Sequence, residues 1–234
     1  MFLATHGVIR NNVVASNPLW NNLLSYYTAD NTPNDSKGVV NGTLINGATY
    51  GTGIINNGFS FDGTNDYANF GNNLDFSGLT NFSFNFWVNP NAASGFQVLF
   101  CKWDATDKGY LIRKSSDGNY LNFVIGSGGS NYTSISNNSI PIASNVYTMI
   151  TVVYVPFPGL KIYINGVSDT LTTNYNAFTT SASNTANLTA GAWSTGASYF
   201  YGGKIDEVGV WNRAITATEV TELYNAGAAK QYIP

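Results

Sequence analysis

Apolar and polar residues alternate along much of this chain with a period of two, which is typical of a β-strand with one buried face. In residues 82–89, three phenylalanines and a valine occupy every second position, and Trp87 lies among the polar residues between them. Similar segments recur every ten to fifteen residues, separated by Gly, Asn and Asp. The other predicted strands lie at 96–103, 110–114, 120–125, 146–155, 160–164, 187–193 and 203–211. This pattern predicts an all-β protein.

Turn and helix signals fall between and after these strands. The Asn-Gly pair at 165–166 ends an apolar strand and favours a left-handed hairpin turn, and residues 116–119 supply a second turn signal. Thr216 and Glu219 form a capping box, which predicts a short helix that ends before Gly227. We find no internal repeat or long linker, so the strands predict one two-sheet sandwich with a single C-terminal helix.

Composition changes this picture mainly through what it excludes. Of 234 residues, 44% are hydrophobic and only 10% are charged, so the chain can bury a core under a neutral surface rich in Asn, Thr and Ser. The net charge is −3 with 10 Lys and Arg, which argues against a nucleic-acid partner because such binding needs clustered cations. No apolar run reaches the roughly 18 residues of a membrane span.

Two residue types occur once each and limit the available chemistry. Cys101 cannot form an intramolecular disulfide and is expected to pack as a small hydrophobic residue. His6 is the only histidine and lies in the N-terminal segment, so a Ser-His-Asp or Cys-His catalytic site is not expected. Residues 1–7 lack the positive and apolar regions of a secretory signal, which predicts cytosolic synthesis if the chain begins at its natural start.

Five groups of sequence segments, in order, carry a family resemblance. They are 24–44, 59–67, the strand around Trp87, 160–166, and 203–227, of which the last is the most specific. Together they resemble the laminin-G-like domains of the concanavalin A-like lectin and glucanase superfamily. The resemblance implies an antiparallel jelly roll of two sheets closed by a C-terminal helix. We therefore expect a sandwich domain at 23–234, preceded by an arm or docking segment at 1–22.

Glycoside hydrolases on this fold carry carboxylates at alternate positions of one strand, so that two acids project from the same face. This chain has three glutamates: Glu207 follows Asp206, while Glu219 and Glu222 lie on the predicted helix. Alternation places Asp206 and Glu207 on opposite faces of their strand. The sequence therefore predicts a protein that is not an enzyme.

The resemblance also implies a structural calcium ion at one edge of the sandwich. Carried onto this chain, the candidate ligands are Asp30, Asp35 and Asp206, with Asn and backbone oxygens completing the six to eight donors that calcium needs. In the alternative interpretation, Asp35 only terminates a turn, and Asp206 only neutralises Arg213 or Lys204.

Aromatic residues supply a second candidate site. Sugar-binding sites combine an aromatic face with hydrogen-bonding groups such as Asn and Asp. The candidate ligand-binding residues are Trp103, Asp104, Trp193, Tyr199 and Tyr201. The alternative is that tyrosines simply line sheet edges, and we expect Trp87 and Trp211 to be core residues.

Two functions are compatible with these features. Residues 1–22 resemble the leading arms of some phage virion proteins, which predicts a non-enzymatic virion surface or attachment protein. Such a protein would form homo-oligomers and would contact the virion or its own subunits through the arm. It would be located on the virion. The alternative is a bacterial extracellular carbohydrate-binding or adhesion module. In either setting the outward partner would be a cell-surface glycan.

Overall fold

The computed structural model describes residues 17–79, 81–91, 95–115, 120–129, 132–137, 142–155, 160–174 and 181–234. Within these ranges, sixteen strands, one α-helix and two short 3-10 helices are present. The strands are β1 (Leu23–Tyr27), β2 (Thr43–Ile45), β3 (Thr49–Thr52), β4 (Asn57–Asp62), β5 (Tyr67–Asn69), β6 (Phe82–Pro90), β7 (Gln97–Trp103), β8 (Lys108–Lys114), β9 (Leu121–Ser127), β10 (Tyr132–Asn137), β11 (Thr148–Tyr154), β12 (Lys161–Ile164), β13 (Val167–Ser168), β14 (Leu171–Asn174), β15 (Thr189–Ala190) and β16 (Gly202–Trp211). The helix α1 spans Ala217–Tyr224, and the 3-10 helices span Pro18–Trp20 and Asn225–Gly227. None of the described helices is long and apolar enough to cross a membrane.

The strands form two antiparallel sheets. The first has the order β13-β12-β11-β6-β16-β4-β3, with β1 also paired to β16, and the second has the order β14-β10-β9-β8-β7-β15-β5-β2. Neighbours in these orders are often distant in sequence, as in a jelly roll. The predicted all-β sandwich with one short C-terminal helix is therefore confirmed. The predicted turn at 116–119 lies outside the described residues.

The core between the sheets is built from the apolar face that alternation predicts. Phe82, Phe84 and Phe86 on β6 are fully buried. Phe82 stacks on Phe76 and on Tyr154, with both pairs of ring centroids 4.5 Å apart. Burying one such side chain contributes about 1.5–3 kcal/mol, so this aromatic layer supplies a large part of the driving force for folding.

The outer face of the first sheet is also buried, because α1 and both ends of the described chain cover it. Trp87 stacks on Tyr224 of α1, with ring centroids 5.8 Å apart. Trp211 is fully buried and stacks on Trp20 at 6.1 Å. Trp87 and Trp211 are thus core residues, as predicted. They belong to a second core outside the sandwich interior.

Part of the predicted N-terminal arm belongs to this second core. Residues 17–22 lie against the first sheet, and Leu19 is 1% exposed. The carbonyl of Leu19 accepts a hydrogen bond of 2.8 Å from the Trp211 indole. Residues 1–16, which include His6, lie outside the described residues.

The strand β16 carries an irregularity that changes which residues share a face. Its register with β6 shifts between Asp206 and Gly209, and Glu207 has a φ of 49°. Ile205 and Val208 both belong to the inner core. Strict alternation would place one residue between these two inward-facing residues, but two residues lie there. The strand therefore contains a β-bulge with one extra residue. Asp206 and Glu207 therefore lie together on the outer side, and the prediction that they point to opposite faces is wrong.

Arg213, just after β16, joins the N-terminal segment to α1. Its guanidinium donates to the carbonyls of Pro18 at 3.1 Å and Leu19 at 2.9 Å. It also forms a two-pronged ion pair with Glu219, with N–O distances of 2.8 and 2.6 Å. Glu219 in turn accepts from the backbone of Thr216, so the predicted capping box is confirmed.

Replacing Arg213 should loosen this junction. We expect Arg213→Ala to lower the free energy of unfolding by about 2 kcal/mol, because hydrogen bonds to charged groups contribute about 1.5–3 kcal/mol. Arg213→Lys should recover only part of the loss, since an ammonium cannot form the two-pronged pair. Urea unfolding measures both variants. As a control, Lys161→Ala removes an exposed cation and should change stability by less than about 0.5 kcal/mol. Equal unfolding midpoints for Arg213→Ala and wild type would contradict the role of Arg213.

Candidate functional site

A groove with a volume of about 410 Å³ lies on the outer side of the second sheet. It is formed by the end of β7, the turn between β7 and β8, the segment before β15 and the loop after β15. Its lining includes Trp103, Asp104, Asp107, Ala186, Trp193 and Ser194. Three of the five predicted ligand-binding residues, Trp103, Asp104 and Trp193, therefore meet at one place.

Trp103 forms a largely buried wall of the groove. It is only 6% exposed and packs with Cys101, Leu111 and Val124 in a small apolar cluster on the outer side of the sheet. Its indole also lies against Gly126 of β9, where a Cβ would come within 2.6 Å of the ring. Trp103 thus shapes the groove and offers little free surface of its own.

Trp193 is the partly exposed tryptophan of the groove, and its loop is anchored from below. The Ser194 hydroxyl accepts from the Trp103 backbone at 2.8 Å and donates to the Cys101 sulfur at 3.1 Å. The backbone N–H of Trp193 donates to the carbonyl of Ser198 at 3.1 Å, which closes the loop.

Burial raises the pKa of Cys101 to about 11, so it is an un-ionised buried thiol, as predicted.

Two carboxylates lie on the opposite side of the groove, in the turn after β7. Asp104 Oδ1 accepts from the backbones of Thr106 at 2.8 Å and Lys108 at 3.1 Å. Burial acts to raise the pKa of Asp104, but the hydrogen bonds from Thr106 and Lys108 outweigh it and lower the pKa. Among the described residues, no donor is bonded to Asp104 Oδ2 or to the Asp107 carboxylate. These oxygens are available to hydroxyl groups.

The wall formed by the segment before β15 is pinned by buried polar contacts. Lys102 is 1% exposed, and its ammonium donates to the Asn72 side chain at 2.6 Å and to the Ala186 carbonyl at 2.7 Å. Asn184 donates to the Lys108 carbonyl at 2.8 Å. The groove is therefore held in shape before any ligand arrives.

The two predicted tyrosines differ in their exposure to solvent. Tyr199 is 47% exposed, and its ring centroid lies 5.7 Å from that of Trp193 beside the groove. Tyr201 is fully buried, packs edge-on against Phe61, and donates to the Lys204 carbonyl at 3.2 Å. The prediction is wrong for Tyr201, because the chain turns this residue into the core just before β16. Asp107, three positions after Asp104 in the same turn, also lines the groove.

The three predicted calcium ligands are engaged in separate backbone contacts. Asp35 is 4% exposed and accepts from the backbones of Tyr26 at 2.8 Å and Val40 at 3.1 Å. It closes a loop, as its alternative interpretation states. Asp30 accepts from the Asn57 backbone at 3.0 Å.

Asp206 accepts from the backbones of Ile54 at 2.8 Å and Ile55 at 3.2 Å. It pairs with neither Lys204 nor Arg213. Within the described part of the chain, no group of three His, Cys, Asp or Glu side chains is placed to hold a metal ion. Calcium binding stays a prediction.

Asp206 and Glu207 form a buried acid pair, at 0% and 1% exposure. Tyr26 donates its hydroxyl to Glu207, and Gln231 donates to the same carboxylate at 2.9 Å. Burial is the main cause that raises the pKa of Asp206 to about 7 and that of Glu207 to about 8; repulsion from Asp30 adds to both, and repulsion from Asp206 adds to that of Glu207. Neither acid is open to a substrate.

This pair should make stability depend on pH. Both pKa values exceed the ordinary 3.8 and 4.5, so the folded state holds these protons more tightly than the unfolded state. Their contribution to stability is complete below about pH 4 and is lost as the pH rises towards the folded pKa values. We expect the melting temperature of wild type to fall relative to that of Glu207→Gln between about pH 5 and 8.5.

Glu222→Gln is the matched control for this experiment. The hydrogen bond from Lys230 lowers the pKa of Glu222, so this acid is already ionised throughout that range. Its difference from wild type should be constant with pH. Parallel melting curves for wild type and Glu207→Gln would contradict the assigned burial effect.

Comparisons with known proteins place this geometry in a family. Residues 62–221, about two thirds of the chain, match the family profile described as the concanavalin A-like lectin/glucanases superfamily. No curated protein matches the chain in sequence.

Similar solved structures include domain 4 of AbnA, an extracellular GH43 arabinanase from Geobacillus stearothermophilus, in complex with arabinotriose. It is 21% identical with a TM-score of 0.63, and the match covers 89% of this chain and 98% of that domain.

The binding domain of Paraclostridial Mosquitocidal Protein 1 is 18% identical, with a TM-score of 0.70 over 89% of this chain. A structure of botulinum neurotoxin type C, whose cell entry depends on two ganglioside molecules, is 14% identical with a TM-score of 0.67 over 89% of this chain. This chain spans about half the length of these two, at 53% and 52%. By its profile match and its two-sheet sandwich, the chain belongs to the concanavalin A-like lectin/glucanases superfamily.

Proposed function

We propose that this protein is a non-enzymatic carbohydrate-binding module that holds a neutral oligosaccharide in the groove between Trp193 and the turn carrying Asp104 and Asp107. One observation carries the proposal. A partly exposed indole on an anchored loop faces a groove whose other side presents carboxylate oxygens without donors among the described residues.

The chemistry of this arrangement suits a sugar. A saccharide presents an apolar face of C–H groups, which packs on an aromatic ring, and hydroxyl groups, which donate to carboxylates. Asp104 and Asp107 give their side of the groove a negative charge. The charge of Lys108 acts on Asp104 and offsets one of these two carboxylates, while Lys102 is bound to Asn72 and Ala186, so one negative charge remains. An anionic sugar would meet repulsion here, so a neutral sugar is favoured.

The structural neighbours support the same ligand class to different degrees. The arabinanase domain that was solved with arabinotriose is matched over 98% of its length, so its whole architecture is comparable. The toxin structures are matched over about half of their length, so the gangliosides cannot be assigned to the matched half. Arabino-oligosaccharides are therefore the first probes to use.

Trp193→Ala should weaken oligosaccharide binding by about tenfold or more, which corresponds to about 1.4 kcal/mol of lost stacking. Asp107→Asn should also weaken binding, because an amide oxygen accepts hydroxyl hydrogen bonds less strongly than a carboxylate. An array of neutral glycans, followed by calorimetry with arabinotriose, xylotriose and cellotriose, measures these effects. The control is Val167→Ala, an exposed residue of the first sheet. Absence of binding across the array, or unchanged affinity in both groove variants, would overturn the proposal.

The setting in which the module works is a separate proposal. We propose that it works on a phage virion, where the sandwich would contact a host glycan and the N-terminal arm predicted at 1–22 would contact the virion or neighbouring subunits. The low charge of the chain supports display in many copies. The alternative is a bacterial extracellular adhesion module. We expect the protein to co-sediment with virus particles and to be oligomeric by light scattering, and a monomer that never associates with particles would contradict this setting.

A further inference from the structure

Two exposed aromatic side chains lie next to each other beside the groove. Tyr199 is 47% exposed and Phe96 is 37% exposed, and their ring centroids are 6.4 Å apart. Exposed aromatic area is less favourable than buried area, so two such rings together are unfavourable unless something covers them. Adjacent exposed aromatics at the rim of a groove are typical of a binding surface.

The backbone at Tyr199 is strained. Its φ is 55°, in the left-handed region, which is unfavourable for a residue with a Cβ. Glycine would adopt this conformation without strain. The Val98 N–H donates to the Tyr199 carbonyl at 2.9 Å and fixes this backbone against β7. An exposed tyrosine thus occupies a position where glycine would fold more easily, which points to a use for its side chain.

The Tyr199 ring is oriented by its neighbours. Phe96 meets it edge-to-face at an interplanar angle of 81°, and the Arg113 guanidinium lies 4.1 Å from the centre of the Phe96 ring. Trp193 lies on the groove, with its centroid 5.7 Å from that of Tyr199. This spacing is comparable with the length of one sugar unit in a chain. A saccharide that stacks on Trp193 would therefore place its next unit against Tyr199.

We infer that Trp193 and Tyr199 form two successive sugar subsites, so that the protein recognises a stretch of a linear oligosaccharide and not a single terminal sugar. This inference rests on the proposed groove function and specifies its ligand. Tyr199 contributes contact area only when a second unit is present, because Trp193 lines the groove and Tyr199 lies beside it. The strained backbone at Tyr199 then lowers the stability of the fold, but it holds the ring where the ring contacts the sugar.

Dependence of affinity on chain length tests this inference. Calorimetry with arabino-, xylo- and cello-oligosaccharides of two to six units and with the corresponding monosaccharides is compared for wild type, Tyr199→Gly and Tyr199→Phe. Wild-type affinity for the bound series should rise by about tenfold between one and two units, equal to about 1.4 kcal/mol. Tyr199→Gly should remove this rise, whereas Tyr199→Phe should retain it. Val167→Ala is the control on the other sheet.

Thermal unfolding of the same variants separates recognition from structure. We expect Tyr199→Gly to melt at the same temperature as wild type or higher, because glycine relieves the positive φ. If Tyr199→Gly instead has the wild-type chain-length profile, the second subsite is wrong while the groove proposal stands. If wild type binds none of the three series and no glycan of the neutral array, the groove proposal and this inference are both wrong.

Discussion

The pairing of β16 with three other strands is the interaction on which the rest of the structure depends. Its first half pairs with β4, its second half pairs with β1, and β6 lies along its other side. One extra residue at the β-bulge separates these halves. The bulge places Asp206 and Glu207 on the same side of the sheet, where the chain around Tyr26 and Gln231 closes over them.

The continuation of β16 determines how the outer face of the first sheet is covered. Trp211 ends the strand on that face, and Arg213 then joins the N-terminal segment to α1. This face is covered by α1 and by both ends of the described chain. The groove lies on the outer side of the second sheet, where the turn after β7 and the loop after β15 bring Asp104 and Trp193 together.

The groove illustrates how a fold can hold a site rigid through contacts that are themselves buried. Ser194 links the Trp193 loop to β7 through Trp103 and Cys101, and each of these contacts lies beneath the groove and away from solvent. Lys102 does the same for the opposite wall. A ligand would therefore meet a preformed surface and lose little affinity to ordering it.

The sequence alone determined the features that depend on local periodicity. Alternating phenylalanines identified β6, the Asn-Gly pair at 165–166 marked a turn, and Thr216 with Glu219 marked the start of α1. These signals are local because strand alternation and helix capping involve residues within a few positions of each other. Residue chemistry also singles out Trp103, Asp104 and Trp193, which line one groove.

Only the tertiary structure decided which of those residues act together. The β-bulge shifted Glu207 by one position, which strict alternation does not anticipate, and Tyr201 turned inward where Tyr199 turned out. Phe96 became part of the aromatic surface only through its contact with Tyr199, which is 103 positions away in sequence. Exposure, strain and distant contacts follow from the packing of all the strands together, so no local pattern in the chain encodes them.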